Sequence, residues 1–574
     1  MINFLTWGLL LLACFLSWFI IYTYASKSTA FYVYFFSFIG YFLGFAIVAL
    51  IPYDIYLGKT NSEYDSQQEA DLMRSVWLSV YWTVFALCWF ILPLIQEYEI
   101  SGNFSFISRM RATLYRQARS MIFAGAFGLA LVIFLLIEGR LTVKTLPVFM
   151  IILSNCWGLF LIIVLLGYGL IAVPRSFWNS GNTEEYLKSL YVKATTFEEC
   201  ITEVNHQLDE IIKLINAASH QISEFSPLKQ YLEIIFLRCP QESVENIKGN
   251  RIHISRDSMN KLGNLSEQRL AELHQDLKKT ISELERTKFR YNQLIEEAIL
   301  LEDIAQSYNS TQRKIISAIL PQRTGKCVRT QELIGWIWLT RVKPIFCRLL
   351  GILFGIMSIL IVLGESTLFI QNPIGLFPLL IQKAQGAYSI QILVLIPLLY
   401  IILCSYYALF NLRLSGSYGL YPNNHTDPSN LVWSACILAR LTTPLAYNFF
   451  LFIKEKNCEF FKVMKVIDLV PVLGNDFAIW FPLLLIVFCI TNYFNIYGKI
   501  MGTLGLTQFS FDEKYSEDRM LEGKLSIQKS RSEKEREFGL TSLLSTNERI
   551  NWEMARVEDT TEKNKKSKFD RLYY

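Results

Sequence analysis

The sequence has few of the residues that hold metals or form disulfides. It contains five histidines, and none of them stands at the spacing of a metal-binding motif. Its eleven cysteines are scattered, mostly one to an apolar segment, and no Cys-x-x-Cys pair occurs. This distribution argues against a zinc site and against a disulfide scaffold. We therefore predict that the protein has no metal site and no cofactor.

Catalytic and nucleotide-binding motifs are also missing. Neither His-Glu-x-x-His nor Gly-x-Ser-x-Gly occurs. Gly58-Lys59-Thr60 resembles the end of a phosphate-binding loop, but Tyr53 stands in place of its first glycine and no strand is expected before it. The basic residues form short clusters beside apolar runs and not one aromatic-studded face, which argues against nucleic acid. We predict a protein without enzymatic activity and without a nucleic-acid partner.

Long apolar runs are what the sequence has instead. Hydrophobic residues make up 52% of the 574 positions and charged residues 18%. A helix needs about 20 apolar residues to cross a hydrocarbon layer of about 30 Å. Runs of that length lie near residues 3–25, 31–52, 76–96, 120–138, 147–173, 345–370, 388–411, 431–453 and 477–501. We predict an all-α, multi-pass protein of the lipid bilayer with about nine transmembrane helices.

The longest polar interval, residues 175–343, separates the fifth run from the sixth. Within it, apolar residues recur at alternating spacings of four and three, the pattern of a coiled-coil seam. This predicts two long amphipathic helices that pair as an antiparallel hairpin, although two separate surface helices would show the same pattern. The pattern does not distinguish pairing within one chain from pairing between two. The seam residues are Phe197, Ile201, Val204, Leu208, Ile211, Ile215, Ala218 and Ile222, then Leu270, Leu273, Leu277, Leu284, Tyr291, Leu294, Ala298, Leu301, Ala305 and Tyr308.

The lysines and arginines of the loops predict the orientation of the chain in the membrane. They favour an extracellular or lumenal amino terminus and a cytosolic carboxyl terminus. One loop, 454–468, disagrees because its four lysines fall on the outer side, so we predict that it lies at the membrane interface. The predicted regions are transmembrane helices one to five in 1–174, a cytosolic hairpin in 175–343, transmembrane helices six to nine in 344–505, and a charged tail in 506–574. The tail is poor in apolar residues, which predicts disorder.

Four polar residues lie inside predicted spans eight and nine. Arg440 is the clearest, because an ionisable group in hydrocarbon is costly and needs a partner. Asn492 and Asn495 of span nine lie at a similar depth, so we expect Arg440 to bond their amides, or backbone carbonyls that Pro444 leaves free. Together with Asn448 these residues form a predicted intramembrane polar cluster. Such a cluster would either join helices or bind a ligand or an ion.

Two carboxyl groups lie near the ends of predicted spans. Glu365 is close to the outer end of span six, so we do not expect it to pair with Arg440. Asp54 follows Pro52 at the end of span two, where we expect it to be exposed to lipid headgroups. Neither position by itself indicates a function.

Several segments resemble the limb-region-1-like membrane family, which includes the lipocalin-interacting membrane receptors. They are 440–450 (RLTTPLAYNFF), 465–474 (KVIDLVPVLG), 481–484 (FPLL) and 493–497 (YFNIY). Residues 49–54 (ALIPYD) add weaker support, and the layout of nine spans around a central cytosolic loop is similar along the chain. Within the family, the branch named domain-containing protein 2 is the most similar.

The resemblance implies a receptor-like or regulatory protein of the plasma membrane or endolysosomal membranes. It implies two kinds of partner, a G-protein-coupled receptor or a lipocalin-like ligand, and no enzyme chemistry. Our first hypothesis is a signalling or trafficking adaptor that recruits cytosolic proteins through residues 184–320. The alternative is a transporter or channel whose polar site contains Arg440, Asn448, Asn492 and Asn495, and a third interpretation is a purely structural membrane anchor.

Overall fold

The computed structural model describes most of the chain. The described residues are 4–60, 65–138, 146–223, 225–241, 263, 265–308, 313–315, 317, 319, 328–367, 375–411, 419–455, 457–465, 477–494, 496 and 517–537. Among them the regular structure is helical, and the sole β-type pairing is an isolated bridge between Ala25 and Thr426. The predicted all-α fold class is therefore confirmed.

The first third of the chain forms a series of mostly long helices. The helices are α1 (Phe4–Tyr24), α2 (Phe31–Thr60), α3 (Asp65–Ala86), α4 (Leu92–Ile100), α5 (Phe106–Ile137) and α6 (Leu146–Ser180). A π-helical turn, Leu87–Ile91, joins α3 to α4 without a break. Ser105 caps α5, because its hydroxyl accepts from the amide of Ser108 and the Ser108 side chain bonds back.

The central and carboxyl-terminal helices follow in the same way. They are α7 (Thr183–Gln221), α8 (Lys229–Arg238), α9 (Glu267–Ser307), α10 (Val328–Ile337), α11 (Lys343–Ser366), α12 (Leu376–Lys383), α13 (Ala387–Asn411), α14 (Pro428–Ile453), α15 (Glu459–Lys465), α16 (Phe477–Tyr493) and α17 (Glu517–Glu537). A second π-helical turn, Trp338–Val342, joins α10 to α11. Pro428 begins α14, where its missing N–H has no helical partner to lose.

Seven helices in the described part of the chain are long and apolar enough to cross a membrane. They are Phe4–Tyr24, Phe31–Lys59, Gln68–Ile100, Phe160–Ser180, Val328–Ser366, Ala387–Asn411 and Pro428–Ile453. The prediction of a multi-pass membrane protein is confirmed. Predicted spans four and nine fall on α5 and α16, which are not among these seven, so the count of nine stays a prediction.

Small residues allow close packing of α14 against α2. A Cβ atom at Gly40 would lie 3.2 Å from the Cβ of Ala435, and one at Gly44 would lie 2.5 Å from a methyl group of Leu438. The Gly40/Gly44 pair thus lets two apolar helices approach closely in the absence of a hydrophobic driving force between them. Of the seven membrane-crossing candidates, α14 has the largest buried share.

The chain divides into two compact units. The first comprises Met1–Trp178, Cys200–Phe289 and Cys347–Asp512, and the second comprises Asn179–Glu199, Arg290–Phe346 and Glu513–Tyr574. The predicted central segment 175–343 therefore contributes residues to both units. Because α7 and α9 each pass from one unit to the other, the antiparallel pairing of the complete helices stays a prediction.

In the first unit, three helices of the central segment share one apolar cluster. The cluster contains seam residues of both predicted helices. The helix α8 adds Leu232 and Ile235, which are not part of either predicted seam. Ile212 is buried there while the seam residue Ile211 is only partly buried, so the buried stripe of α7 is rotated slightly from the predicted one. The members from α7 and α9 are Leu208, Ile212, Ile215, Ala217, Ala218, Leu270, Leu273 and Leu277.

In the second unit, part of the predicted disordered tail is a helix. Residues 517–537 form α17, whose Ile527 is fully buried in a cluster with apolar residues of α7 and α9. Arg531 pairs with Glu302 at 3.2 Å and with the buried Asp303, and Lys534 pairs with Glu296 at 2.6 Å. The prediction of disorder was wrong for residues 517–537. This helix has no apolar stripe, and it is held instead by one buried residue, Ile527, and by salt bridges. The other residues of 506–574 lie outside the described part of the chain.

We expect Gly523→Val to detach α17 within the second unit. A side chain at Gly523 would overlap the carbonyl oxygen of Tyr191, and a backbone oxygen in a helix cannot move aside cheaply. Hydrogen exchange of the amides in 517–537 should become at least about tenfold faster, as for a locally opened segment. Glu522→Val changes an exposed residue in the same turn and is the control. Equal exchange in the two variants would show that the packing of Gly523 does not hold the helix.

Candidate functional site in the membrane bundle

Arg440 lies over an aromatic ring of another helix. Its guanidinium carbon is 4.1 Å from the centroid of Trp89, which belongs to the π-helical turn Leu87–Ile91. A cation over an indole face is stabilised by the ring quadrupole, and the effect grows where water is excluded. Next to this contact the thiols of Cys88 and Cys436 each lie 3.5 Å from the other residue's carbonyl oxygen. Trp89 is thus a partner that sequence analysis did not identify.

The described residues show no hydrogen bond between Arg440 and the residues predicted to accompany it. No hydrogen bond joins Arg440 to Asn492 in the described part of the chain, where Asn492 is half-buried in the last turn of α16. Asn495 lies outside the described residues. Asn448 is eight residues further along α14 than Arg440, which is about 12 Å along a helix axis. Arg440 and Asn448 therefore have different surroundings.

Asn448 pairs with Glu365. Both side chains are fully buried, and the Asn448 Nδ2 donates to Glu365 Oε1 at 2.9 Å. The expectation that Glu365 does not pair with Arg440 agrees with this bond, but its actual partner was missed. A signal was available: α11 and α14 end at Ser366 and Ile453, and the predicted topology puts both ends on the outer side. Two polar residues near the ends of parallel spans lie at similar depth.

A glycine brings these two helices together. A Cβ atom at Gly364 would overlap the ring of Phe452, which lies one turn after Asn448. The missing side chain lets α11 approach α14 closely enough for Glu365 to reach Asn448. The helix ends are also joined, because Lys454, in the left-handed conformation with φ 59°, donates to the carbonyl oxygen of Thr367 at 3.1 Å.

The Glu365–Asn448 pair is only half satisfied. Glu365 Oε2 and Asn448 Oδ1 are buried and have no hydrogen-bond partner among the described residues. A buried polar atom without a partner loses its hydration and gains nothing in return, at a cost of about 1–3 kcal/mol and more for a charged group. Both atoms are acceptors. The pair therefore offers two hard oxygen atoms in an enclosed, otherwise apolar place.

Asp54 provides the opposite case of a buried carboxyl group. It is fully buried, and it accepts from Trp77 Nε1 at 3.1 Å and from the backbone amides of Glu459 and Phe460 at 3.1 and 2.8 Å. The expected exposure to headgroups was wrong, because α15 folds over the end of α2 and presents its free amino-terminal amides to the carboxylate. Both carboxylate oxygens of Asp54 accept hydrogen bonds, and the group joins α15 to α2 and α3.

The lysine-rich loop is packed against the bundle through α15. Phe460 is buried edge-on to Trp77 at 4.8 Å and stacked on Phe450 at 5.0 Å. Phe461 is also buried, stacked on Tyr447 at 5.8 Å. Phe460 and Phe461 are therefore inside the protein, and the interfacial position of 454–468 stays a prediction.

A second set of polar contacts holds α9 against a loop of the bundle. Lys278 Nζ donates to the carbonyl oxygen of Glu99 at 2.6 Å, and His274 Nδ1 bonds the carbonyl oxygen of Gly102 at 2.7 Å. Burial lowers the pKa of Lys278 to about 8 and lowers the pKa of His274 below its usual value. At neutral pH, His274 is then neutral and donates through Nδ1–H, while Lys278 keeps its charge.

The loop before α14 contacts the same helix. His425 stacks on Phe289 with ring centroids 4.0 Å apart. Arg286 forms a salt bridge with Asp427, with 3.7 Å between Nη1 and Oδ2. Burial raises the pKa of Asp427. Thr426 also bridges to Ala25 after α1. Two loops that the lysine and arginine pattern assigns to one side of the membrane thus contact α9, and the segment after α1 contacts one of these loops.

A metal centre with several charged or thiolate ligands has little basis in the described residues. In the described ranges, no group of three or more His, Cys, Asp or Glu side chains is placed to hold a metal ion. The chemistry available at Glu365 and Asn448 is that of one carboxyl and one amide oxygen.

The chain is similar in sequence to a family of known membrane proteins. The model of a family described as LMBR1-like membrane protein matches residues 2–497. The LMBR1 domain-containing protein 2 homolog A of Dictyostelium discoideum is 28% identical over 561 residues, which cover 88% of this chain and 75% of that protein. The G-protein coupled receptor-associated protein LMBRD2 of Homo sapiens is 28% identical over 487 residues, 81% of this chain and 70% of that protein. No solved structure matches.

Proposed function

This chain belongs to the LMBR1-like membrane protein family, and from that premise we propose that it is a receptor-associated adaptor that recruits cytosolic proteins through residues 184–320. The resemblance found in the sequence is confirmed, and so is the multi-pass membrane architecture. The human and Xenopus laevis relatives are named as G-protein coupled receptor-associated proteins. We extend this association to the present chain, with a G-protein-coupled receptor as its membrane partner.

The observation that carries this proposal is an exposed apolar surface on α8, outside the predicted spans. Leu237 is 85% exposed and Ile234 40%, and we call these two residues the α8 face. Ile234 and Leu237 are three residues apart and share one side of the helix. The other side, with Leu232 and Ile235, is buried in the apolar cluster of the first unit. Large apolar side chains grouped at a surface mark protein interaction sites.

The α8 face is connected to the membrane part of the first unit. Tyr231 of α8 stacks on Phe104, with ring centroids 4.6 Å apart, and Phe104 stacks on His274 of α9 at 5.3 Å. Phe104 lies in the loop between α4 and α5. A protein bound at the α8 face would thus contact a helix that is packed directly against a loop of the bundle, as an adaptor requires.

We expect the double variant Ile234→Ser, Leu237→Ser to lose partners. Affinity purification of the full-length protein from membranes should recover its cytosolic partners at least about tenfold less well, because removing two interface anchors costs more than about 1.4 kcal/mol. Both side chains point away from the apolar cluster, so the variant should reach the membrane in normal amounts. Glu233→Ser alters an exposed residue of the same helix and is the control.

Unchanged recovery of every partner from the double variant would contradict recruitment through the α8 face. Loss of cytosolic partners with retention of a co-purified receptor would locate receptor binding in the membrane part. Loss of both would place receptor association on the α8 face as well.

The transporter or channel hypothesis receives less support from the polar residues. A transport path needs polar groups that follow one another through the bundle. Arg440 lies on Trp89, whereas Asn448 bonds Glu365 about 12 Å further along α14. These two surroundings share no hydrogen bond among the described residues, so we favour the adaptor.

A further inference from the structure

The half-satisfied pair Glu365–Asn448 has no role in the proposed adaptor function. Its bond joins α11 to α14, but a bond between helices does not need a carboxyl group, since an uncharged amide at position 365 would accept from Asn448 equally well. An ionisable residue at this place is costly in hydrocarbon and is rarely kept without a function. Its unpartnered Oε2 is what distinguishes it from the saturated Asp54.

The charge of Glu365 has no counter-charge within the described residues. Its hydrogen bond comes from the neutral amide of Asn448, and no salt bridge to it is found in that part of the chain. A buried carboxylate with neither a cation nor several donors is strongly disfavoured. A bound cation restores neutrality, and the net charge of the site, at most one negative unit, matches a single positive charge.

The donor atoms select the chemistry of that cation. Glu365 Oε2 and Asn448 Oδ1 are hard oxygen ligands, which suit a proton or an alkali ion and not a soft metal. A divalent ion such as calcium prefers six to eight oxygen ligands, and one carboxylate would leave it with excess charge. The two unpartnered atoms belong to side chains that share a 2.9 Å hydrogen bond, so both atoms lie at the same place in the bundle.

From this geometry we infer that Glu365 and Asn448 form a binding site for one monovalent cation, a sodium ion or a proton, in the membrane bundle. The site lies where Gly364 packs against Phe452 and where Lys454 ties α14 to Thr367. Cys489 of α16 is a buried thiol that interacts electrostatically with Glu365. This site is independent of the α8 face.

The test uses the full-length protein in detergent micelles and a hydrophobic carbodiimide, which modifies protonated carboxyl groups in apolar surroundings. Labelling is located by mass spectrometry of peptides, at fixed pH with sodium or with a large organic cation, and then over a pH series without sodium. If sodium is the ligand, it should lower the labelling of Glu365 at least about tenfold at fixed pH. If a proton is the ligand, labelling should fall as the pH rises and ignore sodium. Asp54 is the internal control, and its labelling should not respond to sodium.

The variant Glu365→Gln provides a second measurement that does not depend on reagent access. Glutamine keeps an acceptor for Asn448 and removes the charge, so the variant should fold. Wild-type protein should show a thermal unfolding midpoint that changes with sodium or with pH, and the part of this change that comes from the site should disappear in Glu365→Gln. Identical sodium and pH responses of the two proteins would overturn the inference, as would carbodiimide labelling of Glu365 that neither sodium nor pH alters.

Discussion

Replacing Asp54 with alanine is expected to destabilise the protein by at least about 3 kcal/mol. Three buried donors, the indole N–H of Trp77 and the amides of Glu459 and Phe460, would lose their shared acceptor, and each buried group left without a partner costs about 1–3 kcal/mol. The loss should also release α15 from the end of α2, because the carboxylate is what holds the first turn of α15. The measurement is thermal unfolding in detergent, together with the amount of protein in the membrane.

The matched control for this prediction is Asp71→Ala. Asp71 lies on α3, as Trp77 does, but it is exposed, and removing it should change stability by no more than about 0.5 kcal/mol. Asp54→Asn should fall between the two, because asparagine keeps one acceptor oxygen but turns an amide N–H₂ group towards donors. If Asp54→Ala unfolded at the same temperature as Asp71→Ala, the three hydrogen bonds would not be anchoring α15.

The second large effect is expected for Gly102→Ala in the loop between α4 and α5. A Cβ atom there would overlap the carbonyl oxygen of Ala271 and the amide of Gln275 in α9. Both are backbone atoms of a helix, so α9 itself has to move, at a cost of about 1–3 kcal/mol. The bonds from His274 to Gly102 and from Lys278 to Glu99 should weaken together. Hydrogen exchange in 267–289 should then become at least about tenfold faster.

Gly128→Ala is the control for this second variant. Nothing lies within 4 Å of a Cβ atom at Gly128, and alanine is a better helix former than glycine, so this change should leave exchange in α9 as it is. Gly102→Ala also connects with the proposed function. If partner recovery falls in Gly102→Ala while the α8 face is intact, the proposed adaptor function needs α8 and α9 held against the bundle. Unchanged exchange in 267–289 would mean that α9 does not depend on this close approach.

Several features of the protein were determined by the sequence alone. The apolar runs predict the helices of the membrane part, because the length of an apolar run is a local property and the thickness of the bilayer sets the threshold. The heptad spacing predicts long amphipathic helices at α7 and α9 for the same local reason. The segments 440–450, 465–474 and 493–497 were enough to identify the family, because they are matches of residue identity and need no knowledge of packing.

The partners of the polar residues were decided by the tertiary structure. A helical pattern gives the depth of Arg440, Asn448 and Glu365 along their helices, but it does not give the rotation of each helix or the neighbour that it faces. Arg440 meets Trp89, and Asn448 meets Glu365, because of how the turn Leu87–Ile91, α11 and α14 are arranged. The close approach at Gly364 depends on Phe452 of another helix.

The tail and Asp54 show the same limit at longer range. Residues 517–537 have too few apolar side chains to predict burial, and α17 is held by Ile527 together with charges on segments more than 200 residues away. Asp54 lies at the end of a predicted span, which predicts exposure, yet α15 covers it from a position about 400 residues later in the chain. Contacts of this kind depend on which segments meet in space, and only the folded chain determines that.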